Sequence, residues 1–256
     1  MACSISKYDD EWHKSLLRAI KNKDLDRVKY LMNLHGLPDA AERKRMNVGF
    51  TNPVYVALES RSKPIIQYFL DLGFNPNKTL GDAIQTCSVR IVMMYLLAGA
   101  DPKGALHHLS LCFGPTAKVK RIVNILIKAG ADVNNREKRK FLPPSMSGVT
   151  PLMIISNLDV VKTLIEHGAD VNEVDDNGKT VLMWAAGSES PSLFLYLLRQ
   201  GVNIHAKDHE GETALTHAVN NGDVKIALIL LGAGADVNSQ NKDGRTALHH
   251  AVMNGS

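Results

Sequence analysis

The chain has 256 residues, 45% hydrophobic and 22% charged but only 5% aromatic, enough for one large domain or two small ones with an aliphatic core. No stretch approaches the roughly 18 consecutive apolar residues of a membrane-spanning helix, and no apolar signal core follows Met1-Ala2-Cys3-Ser4. Cys3, Cys87 and Cys112 form no pattern; they suit a reducing compartment and argue against a disulfide framework, so the expected address is cytoplasmic or nuclear. Net charge is +4, unevenly spread: Lys and Arg outnumber Asp and Glu 23 to 13 in residues 1–145 and are outnumbered 7 to 13 in residues 146–256. That asymmetry bears on how partners are steered and says little about fold.

A short pattern of two apolar residues, two variable positions and Gly recurs along the chain. Weak copies end at Gly36, Gly73 and Gly99; clear ones read Leu126-Ile127-Lys128-Ala129-Gly130, Leu164-Ile165-Glu166-His167-Gly168, Leu197-Leu198-Arg199-Gln200-Gly201 and Leu230-Leu231-Gly232-Ala233-Gly234. Successive glycines lie 37, 26, 31, 38, 33 and 33 residues apart. Each glycine predicts a left-handed stop at the end of an apolar helix. Ala-Asp-Val-Asn follows at Ala131–Asn134, Ala169–Asn172 and Ala235–Asn238. A Gly-x-Thr-x-Leu opening begins at Gly148, Gly178, Gly211 and Gly244, and its threonine stands where a hydroxyl can cap a first helical turn. Pro151 fits the first helical position, where a missing N–H costs nothing.

These motifs resemble the ankyrin-repeat family, sharply from about residue 118 onward and loosely before it. The resemblance implies an all-α helical-repeat solenoid: helix-turn-helix units joined by β-hairpin loops, with hairpin tips and first helices on a concave face. Seven repeats are expected at about 8–47, 48–77, 78–103, 104–137, 138–174, 175–207 and 208–240, with a partial eighth at 241–256. Such units cannot bury their apolar faces alone and must stack.

Departures from the pattern mark where the chain is individual. The 26-residue interval before Gly99 predicts a finger cut to a short turn. The repeat containing Gly104-Ala105-Leu106-His107-His108 trades its hairpin for a longer inter-helix loop, 111–117. A basic extended finger spans 135–148, with Arg136, Lys138, Arg139 and Lys140 beside Phe141, and the first helix after it, from Leu152, is about three residues short. The chain ends where a second helix is expected to begin, which suggests a fragment of a longer protein, the alternative being a degenerate C-terminal half-cap.

The residues do not assemble an enzyme. His107-His108, His249-His250, His217, His209 and His205 lack metal-site spacing; the resemblance implies a structural brace at His249, which stands at the family's Thr-Pro-Leu-His position, and the rest read as surface polar groups. Asp175, Asp176, Asp208 and Glu210 fall at hairpin positions, where Asp binds nearby backbone amides. No nucleophile elbow, phosphate loop or Cys-x-x-Cys occurs, so no catalytic residue, metal or cofactor is expected. Without an aromatic ladder the basic clusters do not favour nucleic acid.

The expected function is binding a partner protein on the concave face, the alternative being a targeting or sensing module of a larger multidomain enzyme or host-directed effector. Family positions that touch partners map onto Asp176, Asn177 and Lys179 (with Gly187 and Ser188), His209, Glu210, Glu212, Asn220 and Asn221, and Lys242, Asp243 and Arg245 (with Met253 and Asn254). Arg136, Lys138, Arg139 and Lys140 add a site for an acidic partner segment. Asn134, Asn172 and Asn238 resemble asparagines that a hydroxylase modifies in this family, although their first role is to satisfy hairpin backbone groups.

Overall fold

Short apolar stretches separated by turn residues give short helices that pack in pairs, and pairs that pack in series. A computed structural model describes residues 8–34, 53–112, 114–136, 147–187 and 190–255, and its contacts divide the chain into two compact units, 1–125 and 126–256.

In the first unit α1 (Tyr8–Lys21) and α2 (Leu25–Leu34) form one pair, α3 (Pro53–Ser60) and α4 (Lys63–Asp71) a second, and α5 (Leu80–Gln85) and α6 (Val89–Leu97) a third. Leu16, Ile20, Val28, Met32, Ile65 and Ile66 are buried, and Phe69 meets Phe74 edge-on at 5.2 Å between ring centres. The Tyr95 hydroxyl pairs with Thr79 Oγ1 at 3.0 Å, and burial pushes its phenol well above the ordinary value. Between α4 and α5 the finger is indeed reduced, to one 3-10 turn at Pro76–Lys78. A second 3-10 segment, Ala105–Leu111, takes the place of a first helix.

The turn inside each of these pairs contains a residue with positive φ: Lys23 at 59°, Arg61 at 54° and Cys87 at 51°. Glycine takes this position in a later repeat, Gly222 at 71°. Cys87 and Cys112 are bonded to each other, with their Cα atoms 6.0 Å apart. This corrects the expectation of unpaired cysteines: the turn after α5 and the end of the 3-10 segment fold back to the same place, 25 residues apart in sequence.

Helix α7 (Thr116–Lys128) runs across the division between the units. The second unit continues with α8 (Pro151–Ile154) and α9 (Leu158–Glu166), α10 (Val181–Ala185) and α11 (Pro191–Leu198), α12 (Ala214–Asn220) and α13 (Val224–Gly232), and ends on α14 (Ala247–Asn254). Leu164, Leu197 and Leu230 occupy the same place in successive second helices and are each 1% exposed or less. Gly168, at φ 87°, ends α9 by donating to Ile165, while Ala169 donates back to Leu164; both bonds are 3.0 Å.

The threonine caps are more varied than the motif suggests. Thr150, Thr180, Thr213 and Thr246 all precede a first helix in extended conformation. Only Thr213 Oγ1 accepts from the first turn, at the Thr216 amide. The Thr150 and Thr180 hydroxyls are buried and make no hydrogen bond among the described residues; there the thioethers of Met153 and Met183 accept the threonine N–H. His249 does brace, through Nδ1 to the Thr246 amide at 3.1 Å and hydroxyl at 2.8 Å.

A candidate protein-binding face built from stacked finger tips

The fingers at 175–179, 208–212 and 241–245 of the second unit are tight turns, each closed by one acidic or amide side chain. Asp175 Oδ1 accepts the amides of Asn177 and Lys179, Asp208 Oδ1 those of Glu210 and Glu212, and Asn241 Oδ1 those of Asp243 and Arg245, all at 2.8–3.0 Å. The backbone closes the same turns, from Asp175 to Lys179, Asp208 to Glu212 and Asn241 to Arg245. Side chain and main chain thus fix one shape three times over. The strand character expected of the hairpins is slight: among the described residues the one β-bridge pairs Val174 with Thr180.

Successive tips are joined by backbone hydrogen bonds. The amide of Asp176 donates to Ser147 O, that of His209 to Asn177 O and that of Lys242 to Glu210 O, at 2.8–3.0 Å. A Cβ on Gly178, whose φ is 77°, would come within 2.8 Å of the His209 ring, so glycine is needed there for both conformation and space.

Beneath the tips lies a column of paired side chains that sequence reasoning missed. The Trp184 indole donates to Asp175 Oδ2 at 3.1 Å, and His217 Nε2 pairs with Asp208 Oδ2 at 2.8 Å. In the last finger Asn241 replaces the acid and donates to Glu212 Oε1 at 2.7 Å, while His250 lies 3.3 Å from that oxygen. The available signal was a nine-residue interval from the turn acid or amide to Trp184, His217 and His250. His217 and His250 are therefore not the surface groups expected. Both rings are mostly covered, because the finger folds back onto the first helix. Burial pushes the Asp208 carboxyl up, but hydrogen bonds from His217, Glu212 and Glu210 and the charge interaction with His217 outweigh it, leaving the group below its ordinary value.

The residues expected to meet a partner separate into two sets. Asp176, His209, Glu210, Lys242, Asp243 and Arg245 are exposed at the tips, and Asn220 and Asn221 are exposed at the end of α12. Asn177 and Lys179 are half-buried. Glu212 is a correction: its side chain is 13% exposed and braces Asn241 and His250, so it serves the fold. Arg136 is tied 2.8 Å from Asp176 and 3.6 Å from Glu173, so its charge is already matched locally. Lys138, Arg139, Lys140 and Ser188 lie outside the described residues. Exposed tip pairs, Lys242 with Glu210 and Arg245 with Asp243, span 3.8 and 4.0 Å.

The asparagines act as links between repeats. Asn134 accepts from the Asp170 amide at 2.8 Å and donates to Gly168 O at 3.1 Å, and Asn172 accepts from Asn203 at 3.3 Å. Asn238 is exposed, and its side chain makes no such link among the described residues. No cluster of three or more His, Cys, Asp or Glu side chains that could hold a metal occurs among the described residues, and no described helix is long and apolar enough to cross a membrane.

The family model for ankyrin repeats, in three copies, matches residues 106–208 and 188–256. The chain belongs to the ankyrin-repeat family. Ankyrin repeats are in general protein–protein interaction modules, and this chain carries that scaffold. It is similar to the ankyrin repeat protein FPV230 of fowlpox virus, 28% identical over 53% of this chain and 92% of the viral protein. It is also similar to the mouse ankyrin repeat and SOCS box protein 6, 35% identical over 26% of this chain, a match that spans only 15% of the mouse protein's length.

Proposed function

We propose that this chain binds a partner protein on the face formed by the finger tips and first-helix ends of its second unit. The observation that carries the reading is the row of tips held by backbone bonds. Asp176, His209, Glu210, Lys242, Asp243 and Arg245 project from it, exposed and chemically mixed, while the backbone N–H of each is hydrogen-bonded within the fold. A surface fixed before binding loses little entropy on association. The basic 138–140 segment adds attraction for an acidic stretch of the partner. Affinity capture with the chain, then binding of the captured partner to His209→Ala/Lys242→Ala and to a Lys138→Glu/Lys140→Glu variant at two ionic strengths, tests this. The tip variant should lose affinity at both salt concentrations, and the charge reversal mainly at low salt. Unchanged affinity in both variants rejects the face.

A second reading, a targeting module within a larger protein, draws on the mouse relative, whose printed name joins ankyrin repeats to a SOCS box. Of the three asparagines, Asn238 is the candidate for hydroxylation, because Asn134 and Asn172 already use their amides between repeats. A peptide map showing the gain of one oxygen at Asn134 or Asn172 and not at Asn238 contradicts that order.

A further inference from the structure

The turns inside the helix pairs of the first unit collect positive charge. With the helix-stop glycines aligned, the stretches 21–27, 58–64, 84–90 and 115–121 cover the approach to each second helix and its first residues. They hold Lys21, Lys23 and Arg27 in the first pair and Arg61 and Lys63 in the second. The third holds Arg90, and the fourth, which leads into α7, holds Lys118, Lys120 and Arg121. Against these nine cations stand three carboxylates, Asp24, Asp26 and Glu59. In the last three repeats the same positions carry one cation, Lys225, and three carboxylates, Asp159, Glu189 and Asp223.

The fold lines these turns up on one edge. Helix α1 packs on α3, α3 on α5 and α5 on the 3-10 segment, while α2 packs on α4 and α4 on α6. Each pair runs out on its first helix and back on its second, so pairs stacked like on like put their turns side by side. The third and fourth turns are joined through Cys87 and Cys112, and a Cβ on Gly114 would come within 2.6 Å of the Cys87 Cβ. All nine cationic side chains are exposed except Lys120, which is half-buried. Arg27 lies over the Tyr30 ring at 5.0 Å, and among the described residues none of the nine is paired with a carboxylate.

Charge, helix direction and spacing decide what fits. A helix N-terminus favours anions, and α9 and α13 have Asp159 and Asp223 there. Cations stand instead within the first three residues of α2, α4, α6 and α7, and of these helices only α2 has an acid in its first turn, Asp26. An incoming carboxylate therefore meets side-chain cations and helix N-termini together. Stacked helices lie roughly 8–10 Å apart, and an extended chain advances about 3.3–3.6 Å per residue. Every third residue of an extended peptide thus comes level with the next turn. The four stretches include no aromatic ring on which a nucleotide base could stack. None of their large apolar side chains is exposed for insertion into a lipid surface.

We propose that this edge docks an extended acidic segment of a partner protein, about ten residues long, with carboxylates recurring at every third position. The surface is separate from the finger tips and goes beyond the reading above, since it uses the first unit alone. Complementary charge of this kind sets encounter and register.

Fluorescence polarisation tests it, using the whole chain at two ionic strengths and a labelled, end-blocked twelve-residue peptide with Glu at every third position. The peptide should bind, and its affinity should fall as salt rises. Arg61→Glu/Lys63→Glu and Lys118→Glu/Arg121→Glu should each weaken it about tenfold, because one peptide spans both turns. His209→Ala/Lys242→Ala should leave it unchanged. Circular dichroism and thermal melting establish that each variant folds, and the matching Gln variants decide if a reversal does not. No binding, unchanged affinity in either reversal, or an equal loss in the finger-tip variant overturns the edge. Tighter binding of a single-stranded DNA pentamer, which carries the same four charges, assigns the edge to nucleic acid and overturns the proposal. Co-sedimentation with phosphatidylserine vesicles that both reversals abolish and excess peptide leaves intact assigns it to a membrane, with the same result.

Discussion

Asp208 shows how much one finger side chain carries. Its two oxygens hold the amides of Glu210 and Glu212 and the ring of His217, and the residue is buried. Asp208→Ala strands those donors and should lower stability by about 2–3 kcal/mol, read from urea midpoints. Asp208→Asn, which keeps the Oδ1 acceptor, should lose less. Because the folded carboxyl lies below its unfolded value of about 3.9, its contribution is present above about pH 4 and is lost as pH falls through the folded value. The gap between wild type and Asp208→Asn should therefore narrow as pH falls below 4; a gap that widens there contradicts the assignment. The turn role of Asp208 was legible, since Asp before a Gly-containing turn has a local reason to be there. Its imidazole partner was not, because that pairing depends on the finger folding back over a helix nine residues on. Glu212 was misplaced for the same reason: its partners belong to the next repeat.

Among elements, the turns and helix stops carry the measurable strain. A non-glycine residue in the left-handed region costs roughly 1–2 kcal/mol, and Arg61 sits there at φ 54°. Arg61→Gly should therefore raise the unfolding free energy by up to about 1 kcal/mol, after the added backbone entropy of glycine is subtracted. Gly168→Ala should cost about 1 kcal/mol, since its φ is 87° and a Cβ would meet no neighbour. Gly178→Ala should cost more, because the Cβ also meets the His209 ring. Comparing the midpoints of these two variants separates conformation from crowding. The helix stops were readable because Gly after an apolar run has one dominant physical explanation. The short α8 was readable as a count of residues between Thr150 and Leu164.

At the scale of the molecule, stacked repeats contact mainly their neighbours, so local damage should remain local. Hydrogen exchange on Asp208→Ala should show faster exchange through α12, α13 and α14, with the amides of Ile65 and Ile66 in the first unit unchanged. Uniform acceleration across both units would show that the chain unfolds as one cooperative body. The architecture was visible in the sequence wherever the repeat keeps its spacing, because periodic glycines, threonines and leucines report a shape built from identical local solutions. It was least visible between residues 78 and 148. There a 3-10 segment stands in for a helix and a Cys87–Cys112 bond joins two turns, and neither follows from periodicity.

The ladder of main-chain bonds linking Ser147, Asp176, Asn177, His209, Glu210 and Lys242 bears on how such a protein changes over generations. Amide and carbonyl groups are present whatever residue occupies a position, so the ladder is indifferent to most substitutions at His209, Glu210 or Lys242. Selection can rewrite those letters, and with them the choice of partner, while the frame that displays them keeps its geometry.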